Sequence, residues 1–475
     1  MGYYEYHCLI CSVSFAIARI RTSKEPPDAS WDCCGITARD HGYVEVDDLE
    51  HEDEDSEVES DEEDEDELGQ CGNGCMIAVR PREQTEAHAG SSSDHPHSLH
   101  PTEEMYYRRI KNHPEEVRSD IWARLEDGDP VMLEHIAGPE CESESGYNGH
   151  HISVEEMRGC NTMQGLILKH PDWKPEDGDE EFERSGRYYL TGLHDANTNM
   201  DSYDPCTPTR HGCSSVSPAF ENDDTDTIMA NNSDLAYHYS LAVHPTCLEV
   251  LKRVHLRRYG RADVDTFLEW WELGVDKRSL PQDPCRTDAS HGRDQYWRHN
   301  IGAEYLAANP LFVPGLERIF RLADAVPLSE SGKRKHDDDY DAFSVLPAEL
   351  RRMILDCLSR DEITKLHHAS PFLYRNAMGD LGDSFMKEHP WLWEYWTALP
   401  YSSWALTTAT ELKESIESPV KQLAASPSID WGSAMRMLWN EEQAGRLKGL
   451  QNRRRIWKIC DMILNKVEEQ RPLVS

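Results

Sequence analysis

Behind Pro245, apolar residues fall at 247, 250, 251 and 254, the three-and-four spacing of a helix with a buried face. Pro245 suits the first turn, where its missing amide hydrogen would have no partner, and Gly260 suits the position just past the end. A second helix is expected behind Asp263 as its cap, with Val264, Phe267, Leu268 and Trp271 as its stripe. Residues 187–192 read as a short strand and turn, whereas residues 237–241 alternate too weakly to assign. A third stripe, Leu350, Met353, Ile354, Cys357 and Leu358, follows Leu346-Pro347. Ser359-Arg360-Asp361-Glu362 then has the form of a capping box, opening a short helix that carries Ile363 and Leu366. Ser370-Pro371 ends it and begins a third, with Phe372 and Leu373. Three such helices in about 40 residues make a small core, so a partner surface or a neighbouring domain is expected to cover them.

Along the 475 residues no repeat of period 20–50 is present, which excludes solenoids and propellers. The pattern instead divides the chain into segments. Residues 1–43 carry four cysteines, and 44–104 combine an acidic run with Gly, Ser and His and are expected to be disordered. Residues 105–325 alternate apolar runs with turns, a mixed α/β region suited to binding a client protein. A polar linker spans 326–341, the three-helix segment 342–384, and a helical, tryptophan-rich region 385–475. The fold class that results is mostly α with a mixed α/β middle.

Charge changes this picture locally. Lys and Arg total 49 against 88 Asp and Glu, a net charge of −39. Between Glu45 and Glu67, 17 of 23 residues are acidic. Such a field repels nucleic acid and anionic membranes. No stretch reaches the roughly 18 apolar residues of a membrane span. Fourteen cysteines without a secretory signal read as reduced thiols, so a soluble protein of the cytoplasm or nucleus is expected.

Cys8-x-x-Cys11 has the spacing of half a zinc knuckle, with Cys33, Cys34 and His41 available to complete it. The competing reading is a pair of small buried hydrophobes. Cys71 and Cys75 are weaker ligands, lying beyond the acidic run. Two basic stretches oppose the overall charge: Lys252, Arg253, Arg257, Arg258 and Arg261; and Arg446, Lys448, Arg453, Arg454, Arg455 and Lys458 beside Trp457. Pairing with the surplus carboxylates explains them better than contact with phosphates. Hydrolase, metalloprotease, phosphate-loop and dinucleotide signatures are absent, so no catalytic role is expected.

Leu346-Pro347, Glu349-Leu350, Ile354, Leu358, Asp361-Glu362-Ile363, Leu366 and Ala369-Ser370 resemble the F-box, a helical motif that docks the Skp-family adaptor of cullin-type ubiquitin ligases. Ala369 and Lys365 depart from the usual valine and leucine. Further blocks look like those of a large fungal F-box protein family: His244-Pro245-Thr246-Cys247, residues 256–265 and 302–311, Pro390-Trp391-Leu392-Trp393, and residues 449–457. The resemblance implies a substrate receptor that binds its adaptor and the cullin complex through 343–384 and presents an unknown client by proximity. The rival expectation is a zinc-containing or nucleic-acid-associated scaffold in which these helices are only structural.

Overall fold

The computed structural model describes residues 7–26, 29–31, 75–81, 131–195, 210–211, 217–218, 239–276, 299–325, 341–358, 387–397, 399–405 and 431–470, with isolated positions between them. The architecture is mixed α/β. The chain divides into two compact units, neither of them contiguous in sequence. One takes residues 1–312, 402–411 and 451–475; the other takes 313–401 and 412–450.

In the first unit, β1 (Arg19–Ile20) pairs in parallel with β4 (Tyr147–Asn148), and β2 (Met76–Pro81) pairs antiparallel with β3 (Val131–Ile136). Strand β2 lies inside the 44–104 segment, so that segment is not wholly without structure as expected. The apolar run Met76-Ile77-Ala78-Val79 favours a strand once a partner lies beside it. The remainder of 44–104 lies outside the described residues.

A five-stranded sheet follows. Its middle strand is β5 (Thr162–Leu168), flanked by β6 (Tyr188–Leu190), β7 (His194–Asp195) and β9 (Tyr239–Val243), all antiparallel to it. Strand β8 (Ser217–Pro218) runs parallel to β9. The expected strand before Gly192 is β6. Strand β9 is the element whose alternation was too weak to read, because it is an inner strand with Ser240, Leu241, Ala242 and Val243 all buried. Gly165 is required at its crossing with β9: a Cβ there would stand 2.4 Å from Ser240 Cβ.

The connection from β9 is immediate. His244 caps the helix Pro245–Tyr259 (residues as expected), with Pro245 in its first turn and Gly260 left-handed at φ +75° behind it. This helix is buried on nearly every side, so its charged residues pair within the interior. Glu249 pairs with both Lys252 and Arg253, and Lys252 Nζ also reaches Glu180 Oε2 at 2.5 Å. Asp263 accepts from the Asp265 amide at 3.3 Å and opens the next helix, Asp265–Asp276. That helix buries Phe267, Leu268 and Trp270, with Val264 buried just ahead of it; the side chain of Trp271 lies outside the described residues.

The long C-terminal helix, Lys448–Gln470, buries Asn452, Arg453 and Arg455, whereas Lys458 is exposed. Asn452 donates to the carbonyls of Leu306 and Ala308, and Arg453 Nε to that of Pro310 at 2.6 Å. Arg258 pairs with Asp461 and Glu468, and Arg261 with Asp263. These basic positions thus brace the fold. No helix among the described residues is long and apolar enough to cross a membrane.

The second unit is helical. Leu316–Ala325 and Trp431–Gln443 pack with Ala348–Asp356 around Phe320, Leu355, Leu373, Leu392, Tyr395 and Trp431. Phe320, Tyr395 and Trp431 meet edge to face, with ring centroids 4.8 to 6.2 Å apart. The first of the three short helices begins at Ala348, with Pro347 extended at its cap (ψ 150°), one position later than expected. Its inward side also differs. Leu355 is buried and Ile354 and Leu358 pack on the core, whereas Leu350, Met353 and Cys357 stay exposed. At about 100° per residue the last three share one row, which the core does not reach.

Candidate metal centre

Cys8, Cys11, His244 and Cys247 converge in the first unit, all buried, with one donor atom of each within 4.8 Å of the others. Two local structures meet there. The first is the loop Cys8–Ser14. Cys8 N–H donates to Val13 O at 2.9 Å and Ser12 N–H to Cys8 O at 2.7 Å, and Ser12 takes φ +58° to close the turn. The second is the junction of β9 with the helix Pro245–Tyr259, which sets His244 at the cap and Cys247 in the first turn. Leu9 N–H donates to Ala242 O at 2.9 Å, tying the loop to the end of β9. Arg455 donates to Cys11 O at 2.9 Å from the C-terminal helix.

The separations suit one ion. Donors at about 2.3 Å (sulfur) and 2.05 Å (nitrogen) from a tetrahedral zinc stand about 3.6 Å apart. His244 Nδ1 lies 3.5 Å from Cys11 Sγ and 3.7 Å from Cys247 Sγ. The outer ring nitrogen, Nε2, donates its N–H to the carbonyl oxygen of Cys160 at 2.8 Å, which turns the lone pair of Nδ1 toward the thiols, where a metal could bind. The His244 amide donates to Cys8 Sγ at 3.3 Å, and Phe15 packs on the imidazole with ring centroids 4.3 Å apart.

Cys11, His244 and Cys247 also titrate as a group. Burial opposes ionisation of Cys11, yet hydrogen bonds with Cys247 and Cys8 and the charge of His244 bring its thiol well below the usual value. Burial likewise opposes charge on His244, but Cys8 and Cys11 outweigh it and the ring is pushed up to about 10. Cys247 then moves the other way: burial, and its hydrogen bonds with Cys11 and Cys8, hold its thiol well above the usual value. Without metal, Cys11 and His244 thus form a thiolate–imidazolium pair beside the protonated Cys247, and a dication bound there would displace those protons. Cys460, also buried and raised by burial and by the charge of Cys8 and Cys11, stands beside the cluster without joining it.

Cys8 and Cys11 are therefore brought together with His244 and Cys247, not shown with Cys33 or Cys34, which with His41 lie outside the described residues. His244-Pro245-Thr246-Cys247 is itself a His-x-x-Cys pair, a ligand spacing that points to this half of the site. Of the adaptor-binding residues expected from the sequence, Pro347, Leu350 and Ala369 are exposed, while Leu346, Ile354, Leu358 and Leu366 are half-buried. Ile363 and the capping residue Ser359 lie outside the described residues. Asp341 organises the segment, accepting from the Phe343 amide at 3.0 Å, from Ser370 Oγ at 2.6 Å and from the Phe372 amide at 3.3 Å. No family model, curated protein or solved structure matches the chain.

Proposed function

We propose that this protein is an F-box-like, non-catalytic substrate receptor, which docks a Skp-family adaptor through residues 343–384 and brings an unidentified client protein to a cullin-type ubiquitin ligase. The observation that carries this reading is the uncovered apolar row on the helix entered through Leu346-Pro347. Leu350 and Met353 are 45% and 62% exposed, and Val345 just before the helix 81%, although Leu355 on the same helix is only 8% exposed. An apolar strip beside a completed core fits a surface that another helix covers. Ala369, later in the segment, is exposed as well.

The cysteine–histidine centre has a supporting role in this reading. Three thiolates and one imidazole form a closed tetrahedral set for zinc with no position left for a substrate, which is the character of a structural site. It fastens the N-terminal loop to the β9–helix junction.

The test uses the full-length protein and a recombinant Skp-family adaptor at micromolar concentration. The wild type is expected to bind, and the Leu350→Asp/Met353→Asp variant to lose at least tenfold in affinity with an unchanged circular dichroism spectrum. Failure of the wild type to bind overturns the ligase reading and leaves the zinc-braced scaffold.

A further inference from the structure

A second set of soft donors lies in the first unit, at the end of the β2–β3 ribbon. Cys75, His135 and Cys141 each place one donor atom within 4.8 Å of the other two. They come from three separate places in the sequence. Cys75 immediately precedes β2, His135 is the penultimate residue of β3, and Cys141 follows the turn that leaves it.

The strand register explains the meeting. Position 77 stands opposite His135, and Cys75, two positions earlier, shares that face of the ribbon. The turn is closed by the Cys141 amide donating to Gly138 O at 3.2 Å, which returns the chain to the same face. Asn148 Nδ2 holds that carbonyl at 2.9 Å, and the Ala137 amide donates to Arg21 O at 2.9 Å. The turn is therefore fixed from two sides before any ligand binds.

We infer that Cys75, His135 and Cys141 form a second zinc site, separate from the four-ligand centre and with one coordination position open. Cys141 Sγ and His135 Nε2 are 3.7 Å apart, close to the edge of about 3.6 Å expected of a zinc tetrahedron. The Gly138 amide donates to Cys75 Sγ at 3.5 Å, the arrangement by which a backbone N–H steadies a metal-bound thiolate. Two thiolates and an imidazole select zinc over harder cations. His135 and Cys141 are buried, whereas Cys75 is only half-buried. The ion is thus approached from the Cys75 side, and water or an external thiol completes its shell. This second zinc pins the ribbon to the turn and exchanges more readily than the first.

The experiment measures zinc in the full-length protein after loading and gel filtration, together with release to a chromogenic chelator. The expected content is two per chain, released in a fast and a slow phase. Cys75→Ser/Cys141→Ser should retain one zinc and lose only the fast phase. Cys75→Ala alone, which removes the least buried donor, should do the same with an unchanged circular dichroism spectrum. Equal zinc in the wild type and in the Cys75→Ala variant overturns the inference. So does release in a single slow phase from both.

Discussion

His244 is held between two partners: its Nε2 lies 2.8 Å from Cys160 O, and its Nδ1 lies 3.5 Å from Cys11 Sγ. The carbonyl fixes the ring on its outer side and so aims the inner nitrogen at the thiols. Orientation of this kind needs no metal, and it makes the cluster sensitive to any change at the β9–helix junction.

If the centre holds zinc, Cys8→Ser or Cys247→Ser should remove one zinc per chain and cost about 3 kcal/mol or more, since metal bound only by the folded chain adds to its stability. At about 2–4 °C per kcal/mol, that lowers the thermal midpoint by roughly 10 °C. Cys460→Ala, next to the same cluster, should keep its zinc and cost only about 1 kcal/mol. Metal analysis alongside a thermal melt separates the two behaviours.

The interior charges of the helix Pro245–Tyr259 make stability fall in acid. Burial opposes the charge on Glu249, but Lys252 and Arg253 outweigh it and hold its carboxyl below the ordinary 4.5. The folded value is below the unfolded one, so this contribution is complete above pH 4.5 and is lost as the pH falls through the lowered folded value. Glu249→Gln removes the carboxylate that Lys252 and Arg253 share, leaving Lys252 with Glu180, and should cost about 3 kcal/mol at neutral pH. Denaturation midpoints across pH 3–7 should then show a shallower acid limb in the variant than in the wild type.

Gly165→Ala tests the crossing of β5 and β9. The added Cβ would enter the space of Ser240, and overpacking of this kind costs about 1–3 kcal/mol. Because β9 delivers His244, the variant should also bind zinc more weakly, read by chelator competition. Gly178→Ala is a matched control at a left-handed glycine with open space around its Cα, and it should leave zinc binding unchanged.

Leu355 and Leu350 separate core from surface on one helix. Leu355→Ala should cost about 2–5 kcal/mol in a denaturation experiment. Leu350→Ala should change stability by less than about 0.5 kcal/mol and act on adaptor binding instead.

Local sequence alone determined the helices behind Pro245 and Asp263, the strand before Gly192 and the helix behind Pro347. In each, a stop or start residue and an apolar period act within a few neighbours. The same is true of Cys8-x-x-Cys11 as half of a site. Tertiary structure decided the other half, since no local rule sets His244 and Cys247 against a loop more than 230 residues earlier; the pairing follows from the amide of Leu9 meeting β9 at Ala242. Strand β9 escaped the alternation test because its inner position buries both faces, and β2 because its partner β3 begins 50 residues after β2 ends, beyond the reach of any local pattern. The helical stripe behind Pro347 was legible, but which of its rows met the core depended on Phe320, Tyr395 and Trp431, which approach from other helices and cover Leu355 while leaving Leu350 and Met353 outside.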